Sequence, residues 1–254
     1  MTKGEPMASN NDWQAKVEGV RWVRLAFVDL FGTSHSLQLP AALFAEAVES
    51  GELFDGSALQ GRARALESDM RLKPDPATLH CRDEQARVAC TVVTTDGEPW
   101  RADPRTGLIG LLDPAAESAV ADLAQAWTSA AELELYLLTD GRPIDRDGYF
   151  DDREGRGAAI MREAADRLAC CGVDVMSCHH EAGPGQYEID LAPLGPVALA
   201  DALVLAKQTV REVAAERGVL ATFMARPIDG EAGSGLHLHQ EVEGLIGPGG
   251  TLTE

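Results

Sequence analysis

Two glutamates, Glu132 and Glu134, stand two apart in the apolar stretch Glu132 to Leu138 (ELELYLL). In a strand, such residues point to one side, with Cα atoms roughly 6 to 7 Å apart. Two like charges on one inward face are unfavourable without a cation. The pair therefore either binds one or faces solvent with the leucines turned inward. A second group is His179-His180-Glu181, followed by Gly183-Pro184-Gly185-Gln186-Tyr187-Glu188. A strand enters a tight turn and returns, so Glu181 and Glu188 flank the turn and can converge, and His179 shares a face with Glu181. Carboxylates with an occasional imidazole suit Mg²⁺ or Mn²⁺ better than a soft metal. A polar hairpin tip would use the same residue types. The third group, Gly233-Ser234-Gly235-Leu236-His237-Leu238-His239, is a small-residue turn feeding a strand. His237 and His239 share a face there, as ligands or as a satisfied core pair, and the glycines permit close backbone approach to a ligand. Asp69, Asp75 and the run Glu67-Ser68-Asp69 default to solvated loop surface.

Strands and turns must position these groups. Val20 to Leu30 alternates and is β-rich, Phe31 to Ser34 is a turn, and Ser36 to Leu39 returns as a second strand. Pro40 opens a helix over Ala41 to Ser50, closed by Gly51. Residues 52–80 read as loop, and Arg87 to Thr94 as a strand. Residues 1–14 are polar and read as a frayed end. Asp103-Pro104-Arg105 reads as a linker, giving a β-rich unit over 1–105 and a second unit over 106–254. In the second unit, Asp113 can cap a helix running to about Thr128. Helices over Gly157 to Ala169 and Val197 to Arg217 then alternate with strands over Glu132–Leu138, Val173–Glu181, Val219–Met224 and Gly235–Val242, with Ile189 continuing a strand after the turn. The alternation predicts an α+β or α/β unit with a substantial sheet.

Composition narrows the function classes. The 254 residues carry 41 acidic against 22 basic side chains, a formal charge of −19, and hydrophobic residues make up 45%. That balance is ordinary for a folded chain, and it argues against duplex nucleic acid and anionic membrane surfaces as partners. No run reaches the roughly 18 to 20 apolar residues of a spanning helix. The N-terminus lacks an apolar signal core, so a cytoplasmic location is expected. Five cysteines, an odd number without zinc-type spacing, predict reduced thiols, with Cys170-Cys171 packed as small apolar residues.

In order along the chain, from Val23 to about Glu243, these groups resemble the glutamine synthetase family. Phe27-Val28-Asp29 with Gly32 is similar to its first N-terminal strand and turn. Phe54-Asp55-Gly56-Ser57, then Glu67-Ser68-Asp69-Met70 and Pro74-Asp75-Pro76-Ala77-Thr78, resemble a further signature. Glu132-Leu133-Glu134 resembles its paired-glutamate strand, and His179 through Glu188 its His-His-Glu and Gly-Gln-x-Glu element. Thr222-Phe223-Met224, Pro227 and Gly233 through His239 complete the series. Each piece alone is moderately specific, whereas all of them in order are highly specific. The resemblance implies an α+β chain: an N-terminal β-grasp-like domain followed by an incomplete catalytic domain. It implies ATP-dependent ligation of glutamate to ammonia through γ-glutamyl phosphate, with two Mg²⁺ or Mn²⁺ ions and ATP as co-substrate, in a homo-oligomeric ring. Glu134, Glu181 and Glu188 correspond to one metal set, and Glu132 and His237 to the second. Asp55, supplied by a neighbouring subunit, would attract ammonium. Gly233 would approach glutamate, and His239 the nucleotide.

The sequence also departs from the family pattern. Ala232 stands where Asn is usual, Glu241 where Ser is usual, and Arg226 and Ala225 where Lys and Pro are usual. The Glu181-to-Glu188 interval is one residue shorter than in the common bacterial enzymes. It resembles the branch that includes γ-glutamyl-polyamine and other γ-glutamyl-amine ligases, so an amine other than ammonia is an alternative substrate. A non-catalytic member that joins an intact ring is a further alternative. The family's catalytic domain continues beyond the position of Glu254. The resemblance thus implies that this chain is an N-terminal portion with little ligase activity alone, lacking one metal ligand and the substrate-gripping arginines.

Overall fold

The computed structural model describes residues 13–59, 69–113, 126–151 and 153–243. The chain divides into two compact units, Met1–Ala116 and Glu117–Glu254.

Alternating burial builds the first unit. Strand β1 (Trp22–Val28) pairs antiparallel with β2 (Ser34–Pro40) and parallel with β6 (Gln85–Thr94). On the other side of β6 follow β4 (Asp69–Pro74) and β3 (Glu52–Asp55), giving the order β2-β1-β6-β4-β3, with β5 (His80–Arg82) also on β6. Val23, Leu25, Leu72, Val88 and Val92 are inaccessible to solvent and face Phe44 and Ala47 of helix α2 (Phe44–Ser50). The short helix α1 (Trp13–Lys16) places Trp13 edge-on against Phe44, ring centroids 5.1 Å apart, so the frayed end expected over 1–14 does not include Trp13.

The loop expected over 52–80 contains three strands. Met70, Leu72 and Pro74 are buried along β4, while Arg71 and Lys73 reach to the carbonyls that end α2. Helix polarity favours those cations there. The expected linker is also structured. Asp103 caps α3 (Pro104–Leu112), accepting the Thr106 N–H at 3.0 Å and also the Val92 N–H of β6 at 3.2 Å. Pro104 occupies the first turn, where no N–H is needed. Asp75 is not simply solvated: it caps the 3₁₀ turn Pro76–Thr78 and pairs with Arg105 at 2.7 Å. Asp113 ends α3 and, of the helix expected from it, residues 114–125 lie outside the described residues. Trp127 and Thr128 belong to a strand instead.

The second unit is organised by that long strand, β7 (Trp127–Thr139). It runs antiparallel to β10 (Gln186–Leu194) on one side, and β10 pairs in turn with β9 (Val175–His180). Along its other side β7 takes β12 (Leu236–Val242), β11 (Leu220–Thr222) and the short β8 (Arg142–Pro143). Odd-numbered residues Leu133, Leu135, Leu137, Ile189 and Leu191 are buried against helices α4 (Arg156–Cys170) and α5 (Pro196–Glu216). Even-numbered residues of β7 and β10 therefore project from the opposite face. Among the described residues, no helix is long and apolar enough to cross a membrane. The five cysteines are free thiols.

Candidate active site

Strand register sets the site. Across the face opposite the helices, Glu134 of β7 lies beside Glu188 of β10, which lies beside His179 of β9. In the adjacent row, His237 of β12, Glu132 of β7, Asp190 of β10 and Ser177 of β9 stand side by side. Neighbouring side chains in such rows are within reach of one another. The leucines between them anchor the apolar layer. Glu132, on the opposite face, keeps 34% of its side chain exposed.

Glu132, Glu188 and His237 offer ligand atoms that all lie within 4.8 Å of one another, and so do His179, Glu188 and Asp190. Glu188 is common to both groups. Burial, then Asp190 and Glu181, push its carboxyl up to about 7, with His179 opposing at 3.2 Å. Both oxygens of Glu132 are held by imidazoles, at 2.9 Å from His237 Nδ1 and 2.9 Å from His239 Nε2. The His237 hydrogen bond keeps the Glu132 carboxyl low, and the same bond raises the His237 imidazole. Glu181, at the end of β9, has an oxygen 3.7 Å from His179 Nδ1 and accepts the Ala182 N–H at 3.0 Å. Glu134 accepts from Gln186 Nε2 at 2.8 Å.

The donors are carboxylates with imidazole, the chemistry of Mg²⁺ or Mn²⁺ sites. Asp190 supports that fit: one oxygen takes the Ser177 hydroxyl, while Oδ1 is buried without a hydrogen-bond partner among the described residues. A buried acceptor of this kind leaves a place for a water or a cation.

The second unit brings Glu132, Glu134, Glu188 and His237 to one face, with Glu181 beside His179. Gly233 is in the loop ahead of β12, where a Cβ would stand 2.9 Å from the Ala225 carbonyl oxygen, and its own carbonyl accepts from Gln186 at 2.9 Å. His239 lies against Glu132. Asp55 belongs to the first unit, where it accepts the Ser57 N–H at 2.9 Å and its carboxyl is lowered by Ser57.

Four residues went unread. Asp190 follows Glu188 by two positions, so the period-two rule alone places it on the acid face. Asp145 receives the His180 imidazole at 2.9 Å, the Gly185 N–H at 2.8 Å and the Tyr187 hydroxyl at 2.8 Å, fixing the turn between β9 and β10. The pair Tyr149 and Phe150 covers His179, with ring centroids 6.0 and 4.4 Å away. Local sequence gives no signal for either of these contacts.

An α+β chain whose sheet turns carboxylates and imidazoles away from its helices matches two family models. Residues 19–95 match the glutamine synthetase β-grasp domain, and residues 108–244 the glutamine synthetase catalytic domain. The chain belongs to the glutamine synthetase family. Glutamine synthetase of Mycobacterium tuberculosis is 35% identical over 239 residues, covering 88% of this chain and 52% of that protein. The chain spans about half the length of the curated relatives it matches. The fold is shared with a structure of GmaS without ligand, with a TM-score of 0.81 at 24% identity over 94% of this chain and 60% of that one. It is shared likewise with Plasmodium falciparum glutamine synthetase, with a TM-score of 0.81 at 19% identity over 95% and 55%.

Proposed function

We propose that this chain supplies the β-grasp unit and the metal-binding rows of an ATP-dependent ligase. The enzyme joins ammonia or another amine to the γ-carboxylate of glutamate through γ-glutamyl phosphate. The observation that carries this reading is the convergence of Glu132, Glu188 and His237 on one sheet face, with Glu134 beside Glu188.

In this reading Glu134, Glu181 and Glu188 hold one Mg²⁺ or Mn²⁺ ion, and Glu132 and His237 hold a second. Such ions neutralise charge on a transferring phosphoryl group. Glu188, with its carboxyl at about 7, exchanges its proton for a cation near neutral pH. Gly233 brings bare backbone to the glutamate, and His239 leaves Glu132 to meet the nucleotide. Asp55 attracts the ammonium ion from a neighbouring subunit of a homo-oligomeric ring and can take its proton. Tyr149 and Phe150 shield the His179 side from water, which would otherwise hydrolyse the acyl phosphate.

A γ-glutamyl-amine ligase is the second reading, favoured by the short Glu181-to-Glu188 interval and by Ala232. Phosphate release with glutamate, ATP and either ammonium or a polyamine, in the protein that carries this segment, separates the two. The metal site is tested directly on the chain. Mn²⁺ is expected to raise its melting temperature, and Glu181→Ala and Glu188→Gln to abolish most of that rise. A parent melting temperature indifferent to Mn²⁺ and Mg²⁺ would remove the ligase reading.

A further inference from the structure

Gln186 is inaccessible to solvent at the point where β10 leaves the Gly183–Gly185 turn. Its carboxamide is engaged at both ends. The nitrogen donates to Glu134 Oε2 at 2.8 Å and to the Gly233 carbonyl at 2.9 Å. The oxygen accepts the Gly183 N–H at 2.9 Å. Those partners fix which end is nitrogen, because a carboxylate and a carbonyl only accept and a backbone N–H only donates. Tyr136 completes the frame by donating its hydroxyl to the Ala232 carbonyl at 2.7 Å.

The consequence follows from the acceptors. Glu134 Oε2 and the Gly233 oxygen both lie against one NH₂ group, and with that group gone they would face each other with no proton between them. A buried acceptor stripped of its donor carries its full desolvation cost, so the loop would move away to find water. Its neighbours are tied separately, Ala232 by the Tyr136 hydroxyl and Gly235 by the Glu134 N–H at 3.1 Å. Ser234 donates its N–H to the Ala225 carbonyl at 2.8 Å, but its hydroxyl is buried without a partner among the described residues.

We propose that Gln186 is a positioning residue that locks the Gly233 loop onto Glu134, so that one amide sets both the metal-facing carboxylate and the substrate-facing backbone. The functional half rests on the ligase reading above, whereas the locking of the loop does not.

Two variants test it in metal-free protein by residue-resolved amide hydrogen exchange. Gln186→Met fills the same volume without donors. Gln186→Glu keeps an acceptor for Gly183 and loses both donated bonds. Both are expected to speed exchange at Ser234, and at Glu134, whose N–H bonds the Gly235 carbonyl, by about tenfold, the worth of one buried hydrogen bond. Slow exchange at Leu168 and Val210, buried in the helices of the second unit, serves as the control for folding. Exchange at Ser234 and Glu134 unchanged in Gln186→Met would overturn the proposal, since packing alone would then hold the loop. If one variant fails to fold, the other decides. Mn²⁺ titration adds the functional arm, with affinity expected to fall about 10- to 100-fold in Gln186→Met, as for other residues that orient a metal ligand. A parent that binds no Mn²⁺ would overturn the ligase reading and this functional half with it, while the exchange comparison would still decide the locking.

Discussion

Glu188 shares its face with Glu132, Asp190 and two imidazoles, and it is the carboxyl most displaced from its ordinary value, up to about 7 from 4.5. Because the folded value is the higher one, the fold prefers the neutral acid. That preference contributes fully below about pH 4.5 and is lost as pH rises through about 7. Glu188→Gln removes the loss. In metal-free protein the variant is expected to exceed the parent in stability at pH 8 by on the order of 1 kcal/mol, and to match it near pH 5, by urea unfolding at the two pH values. Coincident curves at pH 8 would mean that Glu188 is well solvated. At this scale the sequence was legible wherever spacing carried the information. Glu132 and Glu134 follow from period two, since a strand cannot turn alternate residues anywhere but to one side, and Glu188 from its place across the Gly183–Gly185 turn from Glu181. The roles of His239 on Glu132, Asp145 under the β9–β10 turn and Gln186 between two loops were not legible, because each depends on partners dozens of positions away.

Among the elements, β7 was readable over Glu132–Leu138, where glutamates and leucines alternate at its start, whereas its first residues, Trp127 and Thr128, read as helix. Strand β4 was not. Its buried Met70 and Leu72 are interleaved with Arg71 and Lys73, whose charges suggest a loop until α2 supplies carbonyls for them. Helix α3 was hidden by its own capping sequence, since Asp-Pro reads equally as a turn. The cap makes a clear prediction. Asp103 is 2% exposed, and its Oδ2 serves both the α3 N-terminus and the Val92 N–H. Asp103→Ala is expected to cost about 2 kcal/mol in the unfolding of the first unit, measured in urea, because a cap and a buried strand donor are lost together. A loss under about 0.5 kcal/mol would show that solvent reaches both donors.

Among the described residues, each unit has an apolar core of its own. Calorimetry is expected to resolve the second unit by its response to Mn²⁺. A metal that binds only the native acid face raises the transition of that unit and leaves the other in place. A single transition that moves as one body would mean that the units unfold cooperatively. The charge of −19 acts in the same direction, since each bound cation relieves self-repulsion as well as a local pair.

Strand β12 reaches the acid face with its leucines largely uncovered by the described residues. Its Leu236 and Leu238 are 45% and 51% exposed, and β7 is its one strand partner among the described residues. Yet it delivers both histidines that grip Glu132. An ion seated between β7 and β12 would therefore act as a fastener for an outer ribbon that has little apolar backing among the described residues. A chelator should loosen that ribbon first, leaving the sandwich of helices and inner strands intact.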